Sequence, residues 1–360
     1  MKTVFACFIF IAAIPLWSNR PHIIRLTLLS KENSVNGQPP NIFIVTLDGF
    51  RWQEIFTGAD ERLINNPDYT PDTALMKAMF WSEDEKVRRQ KLMPFLWNVL
   101  SKRGQLYGNR KLGNCVNTSN IYNVSYPGYN EIFSGNTDIF IANNAKKRNP
   151  NRNVLEQLDQ LPPYHGKVVA FTSWDVFPYI LNEQRSGLLV NSGYENLVSI
   201  NPGYAEQMVN RVQSETFANK EGTRLDGLTF TTAREYLLQH QPSVVFLGFG
   251  ETDEAAHRGR YDLYLQSANR CDQMIAELWN LVQTTAGYKD NSCIVITTDH
   301  GRGRRASKWK SHSSFIGGSS ETWLALMGKA IQPLGESAEN MQLYQYQVAA
   351  LLAQLAGTEF

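Results

Sequence analysis

The feature that most constrains this chain is a β-branched apolar run that stops abruptly at two metal-capable side chains. Ile294–Thr298 is followed directly by Asp299, His300, Gly301, Arg302 and Gly303. A short run of that composition fills a strand buried on both faces of a parallel sheet. The carboxyl end of such a strand is where open α/β sheets place their ligands. Adjacent residues at a strand end fan apart, so Asp299 and His300 could serve one metal or two. Taken alone, the pair equally describes a turn in which Asp299 caps a loop.

Three other segments repeat the pattern. Asn41–Leu47 reads as a second buried strand and ends in Asp48-Gly49. Gly166–Phe171 is a third, running into Thr172-Ser173-Trp174-Asp175, and Ser243–Gly248 a fourth, running into Gly250-Glu251-Thr252-Asp253. Helical spacing appears at Glu83–Arg103, where Pro94 must start or kink the helix and Gly104 caps it. It recurs at Val154–Leu161, Asp226–His240, Leu265–Val282 and Gln345–Leu355, and short strands are expected at Leu106–Asn109 and Thr322–Met327. Strands alternating with helices predict an α/β domain with a mostly parallel central sheet and helices on both faces. With 360 residues the chain is long enough to bury such a core. Residues 181–217 scatter Gly, Asn and Pro without a period and read as an insertion over the carboxyl face, where specificity loops sit.

A formal charge of +1 gives no reason to expect nucleic acid or an acidic membrane as partner, and no nucleic-acid-binding module is visible. The four cysteines (Cys7, Cys115, Cys271, Cys293) have no zinc-ribbon spacing and imply no disulfide framework. Lys2 followed by the apolar run Val4–Trp17 reads as a signal peptide over residues 1–18. The run is too short to span a bilayer comfortably, so no stable membrane span is expected, with a short uncleaved anchor as the alternative. Residues 19–40 then form a polar linker, and 41–360 a single catalytic domain of an exported protein, periplasmic or secreted.

Two motifs bear directly on chemistry. Asp253 and His257 stand at i and i+4, on one face of a helical turn, so both can bind one cation. Ser125, with Pro127 two residues on and an apolar-periodic run behind it, reads as a loop entering a helix. There it would lie by free backbone N–H groups at the positive end of the helix dipole, a place for a nucleophile to meet a phosphate. The plainer alternative is an ordinary N-cap serine. His312 follows a basic loop of Arg302, Arg304, Arg305, Lys308 and Lys310, which could bind an anionic substrate or simply be solvated.

Taken in order, Asp48-Gly49, Ser125-x-Pro127, Asp253-x-x-x-His257, Asp299-His300-Gly301 and His312 resemble the alkaline phosphatase superfamily of two-metal hydrolases. The nearest branch is that of the type I phosphodiesterases, which are nucleotide pyrophosphatase-like, and the resemblance covers most of Asn41 to Leu355. It implies two divalent metal ions, one on Asp253, His257 and His312, the other on Asp48, Asp299 and His300 with Ser125 Oγ. Imidazole with carboxylate suits zinc. It further implies a phosphodiesterase or phosphomonoesterase acting on a small-molecule phosphoester through a covalent phosphoseryl intermediate.

The chain departs from that branch in having Ser125 where Thr is usual and Gly128 where Asn is usual. The downstream Asn that grips a phosphoryl oxygen in the branch could be Asn143 or Asn144, and Arg302 is the candidate substrate-facing cation. A sulfatase-like hydrolase, a phosphomutase or a non-catalytic metal-binding protein on the same fold are the rival readings. The sulfatase signature needs Arg where Tyr129 stands, and the stretch between Ser125 and Asp253 is short for a phosphomutase's extra domain. A binding-only protein would be expected to lose ligands, and none of the seven positions is missing.

Overall fold

Every residue of β1 (Asn41–Leu47) is buried, because its side chains leave alternately into two different cores. Phe43, Val45 and Leu47 enter one, Ile42 and Ile44 the other. That two-sided burial is why the segment is a continuous apolar run rather than an alternation. The computed structural model describes residues 39–198, 202–216 and 222–360. The apolar run at 4–17 and nearly all of the linker at 19–40 lie outside the described residues.

The remaining strands are β2 (Gly104–Tyr107), β3 (Asn114–Asn117), β4 (Val168–Thr172), β5 (Leu189–Ser192), β6 (Val244–Phe249) and β7 (Ser292–Thr297), then β8 (Glu321–Thr322), β9 (Leu324–Gly328), β10 (Gly335–Glu336) and β11 (Met341–Tyr344). Eight of them form one sheet of order β10-β2-β9-β7-β1-β6-β4-β5, and β11-β3-β8 form a small second sheet. β7, β1, β6, β4 and β5 run parallel, whereas β9 is antiparallel to both β7 and β2. The expected α/β class, mostly parallel with helices on both faces, is therefore what the chain adopts. The helices Asp226–His240 and Tyr261–Thr284 contribute to the core that holds Phe43, and Ser125–Ser134, Val154–Asp159 and Gln347–Leu355 to the one that holds Ile42. No helix among the described residues is long and apolar enough to cross a membrane.

The helix expected over Glu83–Arg103 is not continuous and is interrupted at Pro94, the residue expected to start or kink it: Glu85–Leu92 ends at Met93, and a wide π-helical turn, Leu96–Leu100, resumes after Pro94. The backbone N–H groups freed at the break, those of Phe95 and Leu96, donate to the buried carboxylate of Asp272 at 2.6 and 2.9 Å. Residues 181–217 are also not wholly an insertion, because Leu189–Ser192 is the edge strand β5, paired in parallel with β4. Four residues ending in Asn191 and Ser192 are too short and polar to show a strand period.

Because β7, β1 and β6 are neighbours, the residues that follow them emerge side by side at one edge of the sheet. The loop that precedes Ser125 is brought to the same place by a buried anchor. Both carboxylate oxygens of Glu131 accept from Ser119 N (2.7 and 2.9 Å), and Oε2 also accepts from Asn120 N (2.9 Å) and Asn120 Nδ2 (3.0 Å). Replacing Glu131 with Ala leaves these donors, those of Asn120 buried, without their acceptor, so Glu131→Ala should cost about 2–4 kcal/mol of unfolding free energy. Urea unfolding measures this, and an unchanged midpoint would contradict the anchoring role.

Candidate metal centre and nucleophile

Asp48 directly follows β1, Asp299 and His300 follow β7, and Asp253 lies in the helix Glu251–His257 that follows β6. The i, i+4 spacing puts His257 Nε2 3.1 Å from Asp253 Oδ2, and His312 Nε2 lies 3.1 Å from the same His257 nitrogen. On the other side, His300 Nε2 is 3.5 Å from Asp48 Oδ1 and 3.4 Å from Asp299 Oδ2. Two sets of ligand atoms, from Asp253, His300 and His312 and from Asp48, Asp299 and His300, each fall within 4.8 Å of one another. His300 thus sits between the two groups, its ring stacked on that of His312 at 3.9 Å between centroids.

Three observations show that these residues fit divalent cations. Donor atoms arranged tetrahedrally around zinc lie about 3.3 Å apart, close to most of the separations above. Each of two histidines has its other nitrogen against a backbone carbonyl: His300 Nδ1 at 2.9 Å from Gly301 O, His312 Nδ1 at 2.9 Å from Asn123 O. A carbonyl only accepts, so both rings carry the proton on Nδ1 and turn the Nε2 lone pair to the centre, the usual support of a ligating imidazole. Burial lowers the pKa of both, keeping them neutral. Finally, Asp299 Oδ2 is a buried carboxylate oxygen with no hydrogen-bond partner among the described residues, a cost that a cation would remove. Burial, reinforced for Asp48 by the neighbouring Asp299, pushes both carboxyls up to about 7.

Ser125 is buried, with Oγ 3.4 Å from Asp48 Oδ1 and 3.3 Å from His300 Nε2. It is not an N-cap: Val124 holds that position, and no side chain caps this helix start. The expectation of several free N–H groups around it is corrected, since Tyr126 N donates to Asn144 Oδ1 at 2.9 Å and Pro127 has none. Of the two candidate asparagines, Asn144 therefore touches the first turn of the helix that begins at Ser125, whereas Asn143 accepts from Ala145 N in its own turn. Gly128 has a packing reason, because a Cβ there would lie 2.5 Å from Asp299 O.

Arg302 is also corrected. Its side chain is buried and turned inward, with Nε donating to Gly49 O (3.1 Å), Nη1 to Lys310 O (2.8 Å) and Nη2 to Asp253 O (3.4 Å) and against Asp253 Oδ1. It positions Asp253 instead of facing substrate. Gly49 fits this arrangement: its φ is +57°, and a Cβ would meet Asp253 Oδ1 at 2.8 Å and Arg302 Nε at 2.9 Å. Sequence reasoning missed Tyr129, whose hydroxyl donates to Asp48 Oδ2 at 3.1 Å, although its i+4 spacing from Ser125 marks the same helix face. It also missed Thr252, donating to Asp48 O at 2.6 Å, and Asn123, held at φ +51° with its carbonyl aimed at His312.

A family model described as the Metalloenzyme superfamily matches residues 194–314, a span holding Asp253, His257, Asp299, His300 and His312. No curated protein sequence matches the chain significantly. Among solved structures, the lipoteichoic acid synthase LtaP from Listeria monocytogenes superposes with a TM-score of 0.56 at 11% identity, over 89% of this chain and 73% of that one. The phosphonate monoester hydrolase of Silicibacter pomeroyi gives 0.53 at 13% identity, over 89% and 74%. The soluble domain of the lipooligosaccharide phosphoethanolamine transferase A of Neisseria meningitidis gives 0.53 at 11%, over 89% and 88%. At such identities these structures speak to the fold. The chain is therefore similar to the Metalloenzyme superfamily over residues 194–314, which carry five of the seven candidate site residues, and it shares the fold of these solved structures.

Proposed function

We propose that the chain is a two-metal-dependent hydrolase of phosphoric esters, acting on a small-molecule phosphodiester or phosphomonoester, with Ser125 as the nucleophile. The observation that carries this reading is the orientation of Ser125, whose hydroxyl faces Asp48 and His300 instead of capping its own helix. Asp253, His257 and His312 would hold one divalent cation, and Asp48, Asp299 and His300 the other, with zinc favoured by the mixture of imidazole and carboxylate. When bound, two such ions supply Lewis-acid charge that lowers the pKa of a hydroxyl and offsets charge gathering on phosphoryl oxygens.

The rest of the chemistry falls to side chains of this chain. Ser125 Oγ, its proton lost to water, attacks phosphorus in line with the ester oxygen. The Oγ–P bond forms as the bond to the departing alcohol breaks, and that alcohol takes up a proton. Water then attacks the phosphorylated serine, the Oγ–P bond breaks, and the serine regains its proton, so a monoester and water yield alcohol and phosphate, and a diester and water yield alcohol and a phosphate monoester. Tyr129 holds Asp48 Oδ2 in place during both steps, and Thr252 holds its backbone. Asn144, its Oδ1 engaged by Tyr126 N, keeps an amide N–H₂ to donate to a phosphoryl oxygen. Tyr129 donates to Asp48 at the position where a sulfatase-type site would carry Arg, which favours the phosphoester over the sulfate ester.

Ser125→Ala should leave both metals bound, since six protein ligands remain, and should lower phosphoesterase turnover by several orders of magnitude. Ser125→Thr should keep part of the rate, and acid quenching with labelled substrate should trap phosphate on Ser125. Near wild-type turnover by Ser125→Ala would remove the covalent mechanism. We also infer export from Lys2 and the apolar run Val4–Trp17. A full-length chain tagged at its carboxyl end should be recovered outside the cytoplasm and shortened at its N-terminus; recovery in the cytoplasm with Met1 intact would contradict it.

A further inference from the structure

Three loops meet at Ser125, and together they combine bare apolar side chains with an excess of cations. The loop leading into Ser125 is tied to the one after its helix by Tyr122 OH, which donates to Ile139 O at 2.5 Å. It is tied to the basic loop by His312 Nδ1, which donates to Asn123 O at 2.9 Å. On these three loops Ile121 is 64% exposed, Ile139 66%, Phe140 90% and Phe315 97%. Large apolar side chains exposed singly are ordinary, but a cluster around one site marks a surface that meets something apolar. The same loops expose Lys147 and Arg148, and Arg305, Lys308 and Lys310, an excess over Asp138, whose carboxylate accepts from Phe140 N at 2.8 Å; Lys146 is paired with Asp175 at 2.8 Å. The chain total of +1 conceals this local excess, because it is summed over the whole surface.

We propose that the face carrying Ser125 docks on an anionic lipid surface. Phe140 and Phe315 enter the boundary between headgroups and acyl chains, while Lys147, Arg148, Arg305 and Lys308 lie over headgroup phosphates. Apolar insertion joined to a basic collar is how peripheral proteins hold such membranes. The apolar tips stand on separate loops, which a fluid bilayer accommodates at once and a rigid protein face must match one by one. An anionic polysaccharide would engage the cations but leave Phe140 and Phe315 in water. The docking does not depend on the reaction assigned to Ser125, and it can be read without turnover.

The test uses the full chain and vesicles of phosphatidylcholine with or without phosphatidylglycerol. In Phe140→Trp, the emission added over the parent chain should be quenched by phosphatidylglycerol vesicles with brominated acyl chains. That readout is local to position 140, so the N-terminal apolar run cannot mimic it. The double variant Phe140→Ser, Phe315→Ser should bind phosphatidylglycerol vesicles at least about ten-fold more weakly, for the loss of two apolar insertions. Phosphatidylcholine alone should bind the wild type more weakly than the anionic mixture. A chain that does not sediment with anionic vesicles overturns the proposal, as does added emission at position 140 that stays unquenched on bound protein. Equal binding of a sulfated polysaccharide by wild type and double variant, with vesicle binding also equal, would replace it with a polyanion surface.

Discussion

A single buried guanidinium joins the pieces on which the rest of the site depends. Arg302 leaves the end of β7, donates to Gly49 O beyond β1, holds Asp253 beyond β6, and donates to Lys310 O in the loop that carries His312. The strand ends and the loop that carry the six candidate Asp and His ligands are therefore tied to one another through one side chain. Burial lowers its pKa to about 9, and Asp48 works against that, so it stays charged at neutral pH. One cation among Asp48, Asp253 and Asp299 offsets only a third of their charge, and two dications would supply more than the remainder. Burying charge without such compensation is costly, so divalent cations bound here would stabilise the centre as well as serve its proposed chemistry.

The supports around the ligands share one logic. Carbonyls of Gly301 and Asn123 fix the histidines, Tyr129 and Thr252 fix Asp48, and Gly49 N donates to Asp299 Oδ1 at 3.0 Å. None of these groups needs to touch a substrate. They hold the ligand atoms where ions can find them, so the geometry exists before any ion or substrate arrives. Asn123 shows the cost, since a non-glycine residue at φ +51° persists only where its surroundings hold it. Thr118 Oγ1 donates to its side chain at 2.8 Å, and Asn123 N donates to Asn120 Oδ1 at 2.9 Å, which is that hold.

Much of this was legible in the sequence because burial on both faces writes itself as uninterrupted apolar runs. β1, β4, β6 and β7 were readable for that reason, and with them the strand ends that carry Asp48, Asp253 and Asp299. The short strands β3, β5, β8, β10 and β11 were not, because two to four residues at an edge or in a small sheet leave no period to detect. Among site residues, motif and spacing were enough for those that could bind metal. The residues that position them were not legible, because Thr252, Asn123 and the inward turn of Arg302 express only tertiary contacts. Arg302 is the clearest case: a cation in a basic loop looks solvent-facing until the fold shows three backbone carbonyls around it.

The most direct test is anomalous X-ray diffraction at the zinc edge from protein purified without chelator. The account predicts two peaks per chain, roughly 4 Å apart, one bounded by Asp253, His257 and His312 and the other by Asp48, Asp299 and His300. The same crystals with Asp299→Ala should lose or weaken the second peak while keeping the first. A well-ordered chain with the strand ends placed as described and no metal peak after soaking in zinc would contradict it.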